Sequence, residues 1–257
     1  MLVCACSYPD PRSSPLDGSS DVIAVDAPND ASPDAPILPT ATPLVDFNAK
    51  TGVIVDGNNK VATWRDQSGG NRDATTTGST IVTTTVPFNG ASRTVLRFDG
   101  MSALTASPHV PPAGTLFIVY GAGTTTNNRA LGWASFSTGA DGLDIETGNP
   151  MQFIARKAGT SGDIVSTSPV TALELDVMSW GPAGSTLERH RPGMAVERRT
   201  RTGFTSIADG GFPLRIGGSG SPVTVRFTGD IASLRVYSEQ LPANQRDGLA
   251  SVILATP

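Results

Sequence analysis

From residue 44 onward the chain consists of short apolar segments separated by turn residues. The segments either alternate hydrophobic and polar positions or form short continuous apolar runs, and both patterns are typical of β-strands. The clearest segments are residues 95–98, 115–120, 151–156, 214–216 and 223–227. Glycine follows Asp or Asn between many of them, as at Asn89-Gly90 and Asp99-Gly100, and such pairs mark tight turns.

Many short strands without alternating helices predict an all-β fold, a two-sheet antiparallel jelly-roll sandwich. One helical segment is predicted, at the C-terminal end, where it opens at Pro242 and runs through Leu249 and Ile253. No internal repeat of fixed period is evident. We therefore predict one domain over residues 44–257, a length that suits a single large β domain.

Residues 7–43 have a different composition, dominated by Pro, Asp, Ser and Ala. Eight of the twenty prolines of the chain lie in this stretch. Such a segment cannot bury enough apolar surface to offset the entropy of ordering, and its prolines and like charges keep it extended. We predict a disordered linker over residues 7–43.

The first six residues contain both cysteines of the chain, Cys4 and Cys6. The sequence from Val3 to Cys6 resembles the end of a bacterial lipoprotein signal, with Cys6 as the lipidated residue and residues 1–6 as the remnant of the signal. The alternative is an unstructured terminus with two incidental cysteines. The resemblance implies an extracytoplasmic protein, either an outer-membrane lipoprotein that contacts the membrane only through its lipid or a secreted protein.

Charge argues against a nucleic-acid partner. The chain carries a formal net charge of −4, and most of it comes from six Asp residues in the first 43 positions, which leaves the predicted domain near neutral. Nucleic-acid binding needs a basic face. One basic cluster stands out, and we interpret it as solvated strand and turn positions; it comprises Arg189, Arg191, Arg198, Arg199 and Arg201.

Three stretches resemble the bacterial laminin-G-like, or concanavalin A-like lectin/glucanase, superfamily. They read WRDQSGGNRDA at 64–74, VLRFDGMSAL at 95–104, and LRIGG at 214–218 with FTGDIASLRVYSEQL at 227–241. Their order and spacing carry the resemblance, which implies the same jelly-roll sandwich. The superfamily hosts lectins, glycanases, adhesion modules and spacers, so the fold does not by itself assign a function.

Many members of that superfamily bind calcium, which makes Ca²⁺ the candidate cofactor. Calcium prefers carboxylate and carbonyl oxygens, and the candidate ligands are Asp230, Asp99 and Asp66. Related glucanases place their calcium carboxylate two residues after Asp230, where this chain has Ala232. The alternative is that these carboxylates fasten turns through hydrogen bonds to backbone.

Aromatic rings that stack on sugars are the candidate binding groups. We expect Trp64 and Tyr237, within the strands that carry the resemblance, to lie in the core. Trp133 and Trp180 are the candidates for stacking on glycans, and the alternative is again the core.

The sequence contains none of the familiar catalytic motifs, including a G-x-S-x-G elbow and a phosphate-binding loop. Asp144 and Glu146 are a faint match to the carboxylate strand of retaining glycanases, but Gly142 replaces the first acid. We expect a non-catalytic, lectin-like surface module that binds glycans or surface polymers. The alternatives are an adhesion spacer and a divergent β-glycan hydrolase.

Overall fold

The computed structural model describes residues 35–76, 79–123, 128–133, 142–147, 151–157, 160–161, 164–165, 170, 172–202, 207, 211–219 and 225–256. The chain divides into two units, Met1–Ala35 and Pro36–Pro257, and the fold described below is that of the second unit. Its first residue is Pro36, eight positions before the predicted domain start. The lipidation candidate Cys6 and most of the predicted linker lie outside the described residues.

The described residues form twenty strands and one helix. In chain order they are β1 (Val45–Asn48), β2 (Val53–Val55), β3 (Val61–Trp64), β4 (Ala74–Thr75), β5 (Val82–Phe88), β6 (Ala91–Asp99), β7 (Leu104–Ala106), β8 (Gly114–Ala122), β9 (Arg129–Gly132), β10 (Gly142–Glu146), β11 (Gln152–Lys157), β12 (Thr160–Ser161), β13 (Ile164–Val165), β14 (Glu174–Gly181), β15 (Gly184–His190), β16 (Glu197–Arg201), β17 (Leu214–Ile216), β18 (Gly218–Ser219), β19 (Val225–Arg226), β20 (Thr228–Tyr237) and α1 (Ala243–Ala255). The described part of the chain contains no candidate membrane-spanning helix.

The strands assemble into two large antiparallel sheets and a small hairpin. The eight-stranded sheet has the order β16-β15-β14-β8-β20-β6-β5, and β1 pairs with part of β20. The ten-stranded sheet has the order β12-β11-β10-β9-β17-β7-β4-β3-β2, and β13 pairs with β11. The hairpin is β18-β19. Sheet neighbours far apart in sequence, such as β8 and β20, show that the fold depends on long-range pairing.

The two large sheets pack face to face, and their inner faces form the main core. Leu116, Ile118 and Leu234 contribute from the eight-stranded sheet, while Leu131 and Ile216 contribute from the ten-stranded sheet. All five side chains are fully buried. Because consecutive strand residues point to opposite faces, the positions between them lie on the outer faces.

The outer face of the eight-stranded sheet is also covered. Phe117, Val119 and Val177 point away from the sandwich core and pack with Leu249 of α1 in a second apolar cluster. Every residue of β14 is consequently buried. The sheet lies between the ten-stranded sheet on one side and the helix on the other.

Local sequence explains one hairpin in detail. Asn89 and Gly90, between β5 and β6, both have positive φ, 49° and 78°. Two consecutive positive φ values define the type I′ turn, whose twist matches that of the paired strands, and Asn-Gly is its preferred sequence. The predicted all-β antiparallel sandwich with a short C-terminal helix is therefore confirmed, down to this turn.

Candidate functional site

A cleft of about 510 Å³ opens beside the outer apolar cluster of the eight-stranded sheet. Its walls come from β5, β6, β8, β20 and the two residues that precede β14. The lining residues are Val86, Pro87, Arg97, Phe98, Gly121, Ala122, Gly123, Ala172, Leu173, Thr228, Gly229 and Asp230. The volume lies within the range of small-ligand sites, so the cleft is the candidate binding site.

Glycines allow the strands around the cleft to come close together. Gly229 of β20 has φ of 152°, and a Cβ atom there would clash with the carbonyl oxygen of Gly121 in β8. Any side chain at Gly229 would therefore force the two strands apart. This part of the cleft consists of backbone, which leaves room for a ligand and keeps peptide groups near it.

One ion pair supplies the charged groups of the cleft. Arg97 of β6 lies opposite Asp230 of β20 in the strand register. Its Nε donates to Oδ1 of Asp230 at 2.8 Å and its Nη2 donates to Oδ2 at 2.9 Å. The hydrogen bond to Asp230 raises the pKa of Arg97 above its usual value. Half of the Arg97 side chain is exposed, against 19% for Asp230, so solvent or a ligand can reach the pair.

The three calcium candidates lie in separate hydrogen-bonding environments. The carboxylate of Asp230 is engaged with Arg97, as described above. Asp66 accepts four hydrogen bonds, from the backbone N–H groups of Asp46, Ser68 and Arg72 and from the Ser68 hydroxyl. Asp99 accepts from the Thr80 hydroxyl and the Met101 N–H.

These environments do not fit a calcium centre. Both oxygens of Asp66 and both oxygens of Asp230 already accept hydrogen bonds from protein donors. Among the described residues, no group of three or more His, Cys, Asp or Glu side chains is placed to hold a metal ion. The geometry agrees with the alternative interpretation of Asp66 and Asp99 as carboxylates that fasten turns.

The prediction that Trp133 and Trp180 stack on sugars is wrong in this structure, because both indoles are fully buried. The Nε1 group of Trp133 donates to the carbonyl of Pro108, and that of Trp180 donates to the carbonyl of Pro111. A ring that packs in the core and has its one donor satisfied offers no face to a ligand. Trp64 and Tyr237 are buried as expected.

The carboxylates proposed for a divergent hydrolase are also engaged with protein groups. Asp144 is 1% exposed and accepts a hydrogen bond from the Ser219 hydroxyl at 2.6 Å. Glu146 forms an ion pair with Arg129. β10 pairs with β11 in unbroken register, so the two carboxylates share a face of the strand, but each is already engaged with a protein group.

The basic cluster contains one residue that is far from solvated. Arg189 is 1% exposed, and its Nε lies 2.8 Å from Oε1 of Glu174 and 3.0 Å from Oδ1 of Asp176. Tyr120 donates its hydroxyl to Asp176, and Arg191 donates to Glu174. A buried ion network therefore replaces the predicted solvated position.

This network raises the pKa of Glu174 to about 7. Burial of the carboxyl is the main cause and the neighbouring negative charge of Asp176 adds to it, while Arg189 and Arg191 oppose the shift. A carboxyl with a pKa near neutrality is characteristic of functional sites, although structural networks produce it too.

The sequence singled out Asp230 but not its partner in the cleft. Arg97 and Asp230 are 133 positions apart, and only the pairing of β6 with β20 brings them together. The raised pKa of Glu174 was missed for a related reason, because the burial that raises it comes from the pairing of β14 with β8 and β15. The sequence feature that could have identified Arg97 is its position between two apolar residues of a predicted strand.

No family model and no curated protein sequence matches this chain. Solved structures do resemble it in fold. Domain 4 of AbnA, a GH43 extracellular arabinanase from Geobacillus stearothermophilus, solved in complex with arabinotriose, aligns with a TM-score of 0.55 and 14% identity. That alignment covers 82% of this chain and 98% of the domain.

Two larger proteins contain a similar fold. An arabinofuranosidase complexed with arabinofuranosyl-alpha-1,2-xylobiose aligns with a TM-score of 0.54 and 10% identity, over 76% of this chain. Trypanosoma rangeli sialidase in complex with sialic acid aligns with a TM-score of 0.53 and 14% identity, over 86% of this chain. The chain spans only 51% of the arabinofuranosidase chain and 35% of the sialidase chain.

These similarities overturn the expectation that the protein is not an enzyme. That expectation rested on missing motifs, whereas the similar folds occur in chains named arabinanase, arabinofuranosidase and sialidase. At 10–14% identity the likeness concerns the fold, which is a β-sandwich found in glycan-active proteins.

Proposed function

We propose that this domain recognises carbohydrate and that the cleft containing Arg97 and Asp230 is its sugar-binding site. The observation that carries the proposal is the ion pair itself. A solvent-accessible guanidinium and carboxylate lie side by side in a cleft whose other described lining residues, apart from Thr228, are glycine and apolar residues. Sugar rings combine hydroxyl groups with apolar C–H faces, so they match both kinds of surface.

The fold comparison supports the proposal. The AbnA domain was solved in complex with arabinotriose, and this chain aligns with 98% of that domain. A sandwich of the same architecture can therefore occur as a sugar-binding unit. At 14% identity the position of the site cannot be transferred, which is why the proposal rests on this chain's own cleft.

The proposal includes a location outside the cytoplasm. Residues 7–43 would then hold the domain away from a membrane surface, with Cys6 carrying the lipid. Metabolic labelling with a radioactive fatty acid tests this part, and we expect the label in the wild-type chain and its loss in Cys6→Ser. Label retained in that variant would remove Cys6 from the proposal.

A glycan array followed by calorimetry tests carbohydrate recognition. We expect binding to at least one oligosaccharide class and a loss of about tenfold in affinity for Arg97→Met, because hydrogen bonds to charged groups contribute roughly 1.5–3 kcal/mol. Arg235→Met is the matched control. Arg235 pairs with Asp46 on the same outer face of the same sheet but does not line the cleft. A chain that binds nothing on the array would favour the adhesion spacer.

Glycoside hydrolysis is the second candidate function. The observation that favours it is the pair Glu174 and Asp176, two carboxylates on one face of β14, of which Glu174 has a pKa of about 7. A carboxyl whose pKa lies near neutrality can act as a general acid or base. Product release from the oligosaccharides that bind, compared between wild type and Glu174→Gln, tests this candidate, and turnover that Glu174→Gln does not reduce would exclude it.

A further inference from the structure

The charges that line the cleft cancel. Among the described residues that line it, Arg97 is the one cation and Asp230 the one anion. They are joined by two hydrogen bonds of 2.8 and 2.9 Å. The remaining lining residues are apolar or glycine, apart from Thr228. A ligand that enters this cleft therefore meets no net formal charge from its walls.

An anionic sugar fits poorly under these conditions. Proteins bind carboxylate ligands through an open guanidinium edge, which forms two parallel hydrogen bonds. The Nε–Nη2 edge of Arg97 already holds Asp230 in this way. A carboxylate that displaced Asp230, or that bound the remaining Nη1–Nη2 edge, would lie close to the aspartate, and two negative charges at such close range repel each other.

A pair of neighbouring hydroxyl groups fits well. Each hydroxyl can donate one hydrogen bond and accept others. Nη1 of Arg97 is not used in the bond to Asp230, and each carboxylate oxygen of Asp230 has a further lone pair. One hydroxyl can accept from the guanidinium while its neighbour donates to the carboxylate, and Val86, Pro87 and Leu173 remain for contact with the C–H face of the ring.

We propose that the cleft selects neutral sugars over anionic ones and recognises them through two adjacent hydroxyl groups bridged by Arg97 and Asp230. This inference rests on the carbohydrate-binding function proposed above. Asp230 acts as the specificity determinant, because its negative charge neutralises the guanidinium charge that an acidic sugar would need. Affinity for a neutral sugar should also depend little on ionic strength, since no net charge is paired on binding.

Calorimetric titration of the full-length chain with arabinotriose and with trigalacturonate, a neutral and an anionic oligosaccharide of equal length, tests the inference. We expect wild type to bind arabinotriose more tightly, with little change between low and high salt. Asp230→Asn should weaken arabinotriose binding by about tenfold and create salt-sensitive binding of trigalacturonate, because it frees the guanidinium. Arg97→Met should weaken arabinotriose binding without creating binding of the anion.

Two further variants separate loss of the site from loss of the fold. Ala172→Leu adds bulk from an exposed position that lines the cleft and leaves the ion pair intact, so it should weaken binding of arabinotriose without changing thermal stability. Arg235→Met should bind both ligands as wild type does.

The outcomes of these titrations are distinct. Tighter binding of trigalacturonate by wild type, or no gain of anion binding in Asp230→Asn, would overturn the selectivity while leaving carbohydrate recognition in place. Arabinotriose binding that survives in Arg97→Met and Ala172→Leu would overturn the assignment of the cleft. A wild-type chain that binds neither trisaccharide nor any other glycan would remove the proposed function itself.

Discussion

Arg246 of α1 donates both Nε and Nη2 to Oε1 of Glu188 in β15, at 3.2 and 2.6 Å. The Glu188 side chain is completely buried. The same oxygen also accepts from Nε of Arg198 in the edge strand β16, at 3.1 Å. One buried carboxylate thus ties the C-terminal helix and the edge strand β16 to β15 of the eight-stranded sheet.

The two arginines should contribute unequally to stability. Arg246→Met removes the buried partner of a buried charge and should lower the free energy of unfolding by about 3 kcal/mol. Arg198 is half-exposed, so Arg198→Met should cost less than about 1 kcal/mol. Urea denaturation followed by tryptophan fluorescence measures both values. Equal losses would show that α1 is not anchored through Glu188.

The raised pKa of Glu174, about 7, should make stability depend on pH. Between its unfolded value near 4.5 and 7, the folded state holds a proton that the unfolded state has released. The contribution of Glu174 is therefore fully present below pH 4.5 and is lost as the pH rises to 7, with a slope of at most about 1.4 kcal/mol per pH unit.

Comparison with Glu174→Gln isolates this contribution, because other groups titrate in both proteins. We expect the difference in unfolding free energy, wild type minus variant, to fall between pH 4.5 and 7 and to be constant above. A difference that rises over the same interval would contradict the assigned direction of the shift.

Asp66 should stabilise the loop before β4 through hydrogen bonds rather than through a metal. Burial of its carboxyl would raise the pKa, but hydrogen bonds from Asp46, Ser68 and Arg72 lower it overall. Asp66→Ala should reduce the free energy of unfolding by about 2 kcal/mol, equally in calcium and in EGTA. Asp73→Ala is the milder control, because the Asp73 carboxylate accepts a hydrogen bond from the Asp66 N–H rather than the four that Asp66 accepts. A loss that appears only in calcium would restore the metal hypothesis.

The contribution of Asp66 to stability should also disappear in acid, as the pH falls through its lowered pKa.

Substitution of the second residue of the Asn89-Gly90 turn should lower the stability of the fold. Gly90 has φ of 78°, so Gly90→Ala should cost about 1 kcal/mol. Asn89→Gly should be close to neutral, because glycine also adopts positive φ. Thermal unfolding measures both, and a neutral Gly90→Ala would mean that the turn is not type I′.

The sequence contained enough information for the fold class, since strand periodicity, turn dipeptides and the terminal helix are local properties. Asn89-Gly90 is a clear example, because its conformation follows from two adjacent residues. The burial of Trp133 and Trp180 could not be predicted from local sequence in the same way. Both faces of a sandwich strand accept large aromatics, and which face is inner depends on partners distant in sequence.

The cleft required tertiary information for a related reason. Asp230 was identified as a candidate site residue, but its chemistry depends on the residue opposite it. With Arg97 in register the carboxylate belongs to an ion pair, whereas with other carboxylates opposite it would be a cation ligand. Register between β6 and β20 is not encoded in either strand alone.

The double covering of the eight-stranded sheet has a consequence for how this domain can diversify. In the middle of β8 and β14, a substitution disturbs the packing on both faces of the sheet, so few replacements are tolerated there. The side chains of Arg97 and Asp230 in the cleft are instead partly exposed, so changes there disturb the packed layers less. New ligand preferences could therefore arise by changing a handful of strand-end residues while the interior stays constant.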